Sequence, residues 1–156
     1  MTLPKTDTLQ LNQDGPVLHI TLNRPESRNA MSLTMVNELM AVFESVAGDT
    51  TIRAIVLRGT GGHFCAGGDI KDMAGARQQA AGGDDNAFQA LNRRFGEMIT
   101  AANRQPQVVI TVLEGAVLGG GFGLACISDV AIASENATFG LPETLSLIHI
   151  SEPTRP

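Results

Sequence analysis

Two glycine-rich segments and one glutamate carry the residues that could do chemistry. The segments are Phe64-Cys65-Ala66-Gly67-Gly68-Asp69-Ile70 and Gly115-Ala116-Val117-Leu118-Gly119-Gly120-Gly121-Phe122-Gly123, and the glutamate is Glu143, which follows Pro142. Glycines let backbone approach a ligand closely and leave N–H groups free to point at it. Two such loops can aim two N–H donors at one oxygen, which is the hardware for stabilising an oxyanion. A carboxylate nearby can move a proton. The plainer reading is that the glycines only allow tight turns, with their N–H groups paired internally. For Glu143 it is a surface carboxylate.

The elements that must position these residues follow from pattern. Thr8-Leu9-Gln10-Leu11 and 17–22 read as strands, with Leu18, Ile20 and Leu22 alternating and Asp14-Gly15 as a hairpin signal. Residues 23–29 read as a loop, since Pro25 biases Arg24 away from helix. Ser32 is a plausible N-cap for a helix to about Ala47, with an apolar stripe of Leu33, Val36, Met40, Phe43 and Ala47 and a stop at Gly48. A buried-type strand at 53–58 leads to a loop at 59–68, and Asp69 begins a short helical turn. Residues 74–86 read as mobile, being Ala- and Gln-rich and then Gly-Gly-Asp-Asp. A second long helix spans about 85–104, with Phe88, Leu91, Phe95, Met98, Ile99 and Ala102 on one face. A strand at 108–113, a short helix at about 120–127, a strand at 129–133 and the piece 139–143 complete the order. That order, ββα, βα, βα, β, implies an α/β protein with helices covering sheets.

Composition bounds the function. The chain has 156 residues, 43% hydrophobic and 17% charged, enough for one domain with a core. Its net charge of −5 argues against a general nucleic-acid or anionic-membrane surface. No apolar run is long enough to span a bilayer, so a soluble cytoplasmic protein is expected. Cys65 and Cys126 form neither a disulfide framework nor a zinc motif. Both read as small residues in a reduced compartment, although the loop position of Cys65 leaves a reactive thiol open.

The last residues differ in character. Leu145-Ser146-Leu147-Ile148-His149-Ile150-Ser151-Glu152-Pro153-Thr154-Arg155 resembles the translation of a transposase adapter used in sequencing libraries. Residues 1–144 are therefore read as the native domain and 145–156 as a non-native tail, which excludes His149 from catalysis.

At its motifs the chain resembles the crotonase, or enoyl-CoA hydratase/isomerase, superfamily. They are Ile20-Thr21-Leu22-Asn23-Arg24-Pro25, Asn29-Ala30, the two glycine segments, Ser128-Asp129 and Phe139-Gly140-Leu141-Pro142-Glu143. Each is weak alone, and the ordered set is specific. The resemblance implies a spiral of ββα units, cut short before the C-terminal helices, and acyl-CoA thioester chemistry. It implies homotrimers or hexamers in a full-length parent. It implies no metal and no separate cofactor, coenzyme A being part of the substrate.

The resemblance also assigns roles. The N–H groups of Gly68 and Gly120 would hold a thioester enolate oxygen, Gly120 being helped by its place at a helix N-terminus. Ala66, Gly68, Asp69, Ile70 and Lys71 match the segment that touches coenzyme A. Ala30 falls in the matching Asn29-Ala30 motif and Arg28 lies beside it. Arg28 and Lys71 read either as cations facing phosphates or as exposed charges. Asp69 and Asp129 read as helix-capping or loop-bonding residues. His63 reads as a loop-edge surface residue rather than a catalytic one.

Two-glutamate hydratases carry one glutamate three residues after the oxyanion glycine, and here that position is Gly123. The other, Glu143, is retained. Hydration is the first reading, and isomerisation by Glu143 alone is the second. A binding-only fragment is the third. The segment 119–126 with 140–144 is also similar to hydratases of branched glutaconyl-CoA substrates, isohexenylglutaconyl-CoA hydratases among them. In that case Gly123 would make room for a substrate bringing its own carboxylate.

Overall fold

The computed structural model describes residues 3–82 and 86–142. β1 (Leu9–Asp14) and β2 (Val17–Leu22) form the expected hairpin, antiparallel with Asp14 opposite Val17. Gly15 closes the turn at φ +54°, a conformation that glycine adopts at no steric cost. The alternation in β2 is realised, since Leu18, Ile20 and Leu22 are fully buried.

From β2 onward the chain winds as a spiral. The larger sheet has the order β1-β2-β3-β5-β7, with β3 (Ala54–Gly59), β5 (Val108–Leu113) and β7 (Val130–Ala133) running parallel to β2. The smaller sheet has the order β4-β6-β8, built from β4 (Cys65–Ala66), β6 (Ala116–Leu118) and β8 (Thr138–Gly140), again parallel. A bridge between Met31 and Gly68 adds the first turn of the spiral to this sheet. Each turn thus gives a longer strand to one sheet and a short one to the other, then a helix. α1 (Leu33–Val46) follows Met31, α2 (Ile70–Ala81) and α3 (Ala87–Asn103) follow β4, and α4 (Gly120–Ile127) follows β6. This is the α/β spiral of ββα units that the motifs implied.

The short strands β4 and β6 were expected only as loop and glycine segment. Two or three residues carry no readable alternation, and their pairing partners are distant in sequence. α2 corrects the mobile reading of 74–81. Its Ala, Gln and Arg residues are good helix formers, and Asp69 caps it by accepting the Lys71 N–H at 2.8 Å. The apolar face of α1 is wider than the expected stripe. Met35, Leu39, Val42 and Val46 are fully buried with Phe43, while Leu33 is 40% exposed and Ala47 is an exposed C-cap. α1 packs mainly on α3, whose Met98 and Ala102 are buried.

Candidate active site

The smaller sheet sets the two glycine segments side by side. β4 pairs with β6 as Cys65–Val117 and Ala66–Leu118. Gly68 lies two residues past Ala66 and Gly120 two past Leu118, so both glycines follow the paired ends of these strands. On one side of Gly68, the Met31 N–H donates to the Gly67 carbonyl at 2.8 Å and the Asp69 N–H donates to the Met31 carbonyl at 3.1 Å. In a parallel ladder the residue between such a pair turns its own N–H and C=O the other way. Gly68 therefore faces the β6 side.

At the end of β6, Gly119 takes φ 49° and ψ −117°, and its N–H donates to the Gly140 carbonyl at 2.9 Å. That sharp turn starts α4 at Gly120, and a first-turn N–H has no partner within its helix. Among the described residues, neither the Gly68 N–H nor the Gly120 N–H meets an acceptor.

Close packing fixes this turn. A Cβ on Gly120 would lie 2.8 Å from Phe95 Cε2, and one on Gly121 would lie 2.5 Å from Cys65 Cβ. Gly121 therefore demands glycine on steric grounds, and a Cβ on Gly120 would require the Phe95 ring to shift. A Cβ on Gly68 would meet only Met73 Sδ, at 3.4 Å.

A polar brace holds the first loop. Asn29 is fully buried. Its Oδ1 accepts the Arg24 N–H at 2.8 Å, and its Nδ2 donates to the Thr60 and His63 carbonyls, each at 2.8 Å. Arg24 Nη1 donates to the Ala30 carbonyl at 2.6 Å and pairs with Asp69 Oδ2 at 2.7 Å. Burial pushes the Asp69 carboxyl up, but the Arg24 hydrogen bond, the Lys71 and Asp72 N–H groups and the Arg24 charge outweigh it. The net direction is down. Asp69 is thus an anion whose charge Arg24 cancels beside Gly68, where an unpaired anion would oppose an enolate. Sequence reasoning gave no role to Arg24 or to the Asn29 side chain. Their places in two adjacent motifs were the available signal.

Both glycines line one cavity of about 640 Å³. α1 and its approach supply Met31, Leu33 and Val36 to its wall, and α2 with its cap supplies Asp69, Asp72 and Met73. α3 supplies Leu91, Asn92 and Phe95, α4 supplies Phe122, Gly123 and Cys126, and Leu141 follows from the end of β8. The wall is mainly apolar. Asp69 is paired with Arg24, and Asp72 Oδ2 accepts the Leu33 N–H at 2.6 Å.

Gly68, Asp69 and Gly120 thus meet at one cavity. Lys71 is exposed and lines an adjoining cavity of about 550 Å³ between α1, α2 and α3, with Arg94. Arg28, Ala30, Ala66 and Ile70 do not line the glycine cavity. Arg28 is exposed at φ 51°, and its carbonyl accepts the Ala66 N–H at 3.0 Å. Ile70 is 81% exposed. His63 is half-buried, and its Nδ1 accepts the Ala116 N–H at 3.1 Å, so it braces β6. Asp129 Oδ2 accepts the Val109 N–H at 2.8 Å. Glu143 lies outside the described residues, as does the segment 145–156.

Together these features define a class: an α/β spiral with two glycine N–H groups, unmatched among the described residues, at a mainly apolar cavity. The chain belongs to the enoyl-CoA hydratase/isomerase family, the crotonase superfamily, whose model matches residues 12–148. It is similar to the solved structure of Pseudomonas aeruginosa AtuE, with 59% identity and a TM-score of 0.85 over 90% of this chain and 53% of that one. A probable enoyl-CoA hydratase of Rhizobium meliloti is 40% identical over 91% of this chain and 52% of its own length. The peroxisomal Delta(3,5)-Delta(2,4)-dienoyl-CoA isomerase of Arabidopsis thaliana is 32% identical over 92% of this chain and 54% of its own length. The chain therefore spans about half the length of the relatives it matches.

Proposed function

We propose that this protein is an enoyl-CoA hydratase-type enzyme that adds water to an α,β-unsaturated acyl-CoA. One observation carries the reading: Gly68 and Gly120 line one cavity, and neither N–H meets an acceptor among the described residues. The thioester oxygen accepts both hydrogen bonds, and they strengthen as addition at C3 turns the thioester into an enolate. One such donor is worth about 2.7–4 kcal/mol of barrier. Glu143 is the acid–base residue of the proposal. Family likeness adds coenzyme A contacts along 66–71, assembly into trimers or pairs of trimers, and a cytoplasmic location. Among the described residues no helix is long and apolar enough to cross a membrane.

A second reading, double-bond isomerisation, is favoured by Gly123. The described part of the cavity wall holds no carboxylate on α4, and moving a proton between two carbons needs only one. Absorbance at the conjugated enoyl-thioester band separates the readings. Hydration of crotonyl-CoA removes it, and isomerisation of a 3-enoyl-CoA creates it. No change with either substrate, while CoA esters still bind, leaves a binding protein without turnover. A substrate carrying its own carboxylate is tested by the same assay: equal rates with crotonyl-CoA and a glutaconyl-CoA sink that idea.

A further inference from the structure

His63 lies outside the glycine cavity, yet its ring reaches the strand that leads into it. Its Nδ1 accepts the Ala116 N–H at 3.1 Å. The fit is close. A Cβ on Gly115, which sits at φ 53°, would lie 2.5 Å from that nitrogen and would overlap the Gly62 carbonyl oxygen. The His63 carbonyl accepts from Asn29 Nδ2 at 2.8 Å, so the ring is carried on the same buried brace as the first loop. β4 pairs with only the last two residues of β6, Val117 and Leu118. The N–H of the first, Ala116, goes to the imidazole instead, and the Thr138 N–H steadies the far side by donating to the Gly115 carbonyl at 2.7 Å. Gly119 and Gly120 follow β6 directly.

To accept, Nδ1 must carry no hydrogen, so the bonded ring is the neutral form with its hydrogen on Nε2. A protonated imidazole has a hydrogen on each nitrogen and accepts at neither. The charged residues of the segments around the ring are Glu114 beside Gly115, Glu135 in the turn before β8, and Arg24, Glu26 and Arg28 in the loop that Asn29 ties to His63. Among the described residues none of them forms an ion pair or a hydrogen bond with the ring. We infer that His63 is a positioning residue: its neutral imidazole fixes the start of β6 and thereby the place of the Gly120 N–H. Ester binding at the cavity then depends on the protonation of a residue that does not touch the ester. This rests on the proposed thioester site and adds its regulation by acid.

Calorimetry with butyryl-CoA tests this on the 156-residue wild type, His63→Asn and His63→Ala at about pH 8 and about pH 5.5, a span over which histidine side chains change charge. Asparagine keeps an acceptor oxygen near the place of Nδ1 and does not titrate, whereas alanine offers no acceptor. Comparing proteins at one pH cancels the titration of the ester's own phosphates. At the higher pH His63→Ala should bind about fivefold more weakly than wild type, the worth of one hydrogen bond, and His63→Asn should restore the loss. At the lower pH wild type should fall to the alanine level while asparagine holds. Circular dichroism confirms that each protein is folded at both pH values. A wild-type-to-asparagine ratio that does not move with pH overturns the inference, and so does alanine binding as tightly as wild type at the higher pH. Should asparagine not fold, the wild-type-to-alanine ratio decides, a constant ratio counting against His63. No binding of butyryl-CoA by wild type at the higher pH overturns the thioester site, and this inference with it.

Discussion

At the residue scale, Gly68 and Gly120 do the same job with different tolerance. Gly120→Ala forces a methyl to 2.8 Å from the Phe95 ring, at the turn that sets the N–H. Overpacking of this kind costs about 1–3 kcal/mol, and CoA-ester affinity should fall with the stability. Gly68→Ala meets only the flexible Met73 sulfur at 3.4 Å, so its unfolding midpoint should stay within about 0.5 kcal/mol of wild type. Urea titration of both variants checks the order, and a Gly68→Ala protein less stable than Gly120→Ala contradicts it. Glu143→Gln should lower turnover by about 10²–10⁴-fold while CoA-ester binding persists. Undiminished turnover removes Glu143 from the chemistry. The glycines were legible because their clustering is unusual. The crowding at Gly120 was not legible, because it depends on Phe95, 25 residues earlier in the chain and one helix across in space.

At the element scale, the start of α2 holds the first glycine loop in place. Asp69 caps the helix and pairs with Arg24, which also ties down the 24–30 loop. Asp69→Ala removes a cap and strands a largely buried guanidinium, for an expected loss of about 2–4 kcal/mol. Asp69→Asn keeps a capping oxygen and loses the charge. The Asp69 carboxyl is held below its ordinary value in the folded protein. Its stabilisation is therefore present above the unfolded carboxylate range, about pH 4, and is lost as pH falls through the lowered folded value. The stability gap between wild type and Asp69→Asn should be full at pH 6 and shrink below about pH 4. A gap independent of pH would show that the ion pair is not its source. The hairpin, α1, α3 and the parallel strands were legible from periodicity, because each spans several residues on one repeating face. β4 and β6 were not, since a two- or three-residue strand is defined by its partner. α2 was obscured by its Ala- and Gln-rich composition, which carries no clear apolar stripe, and by the Gly-Gly-Asp-Asp that follows it.

At the scale of the whole molecule, the spiral buries its early turns and exposes its later ones. β2 is flanked on both sides and closes the core with Leu18, Ile20 and Leu22. β7 ends the larger sheet and β8 ends the smaller one. All four residues of β7 are exposed, Ile132 at 55%, and Phe139 of β8 is exposed at 48% with its ring edge-on to Phe122, 5.8 Å between centroids. From sequence, 129–133 reads as a strand, and no pattern within the segment tells what lies against it. Among the described residues both sheet ends are open and carry apolar side chains, which makes them templates for association. The 156-residue chain should therefore self-associate in a concentration-dependent way. Ile132→Lys, which places a charge on the exposed end of the larger sheet without touching the glycine cavity, should reduce that association while the circular dichroism spectrum is kept. Sedimentation velocity over a concentration series reads the effect. A chain that sediments as a monomer throughout, or one whose association is indifferent to Ile132→Lys, would place its sticky surface somewhere other than this end of the spiral.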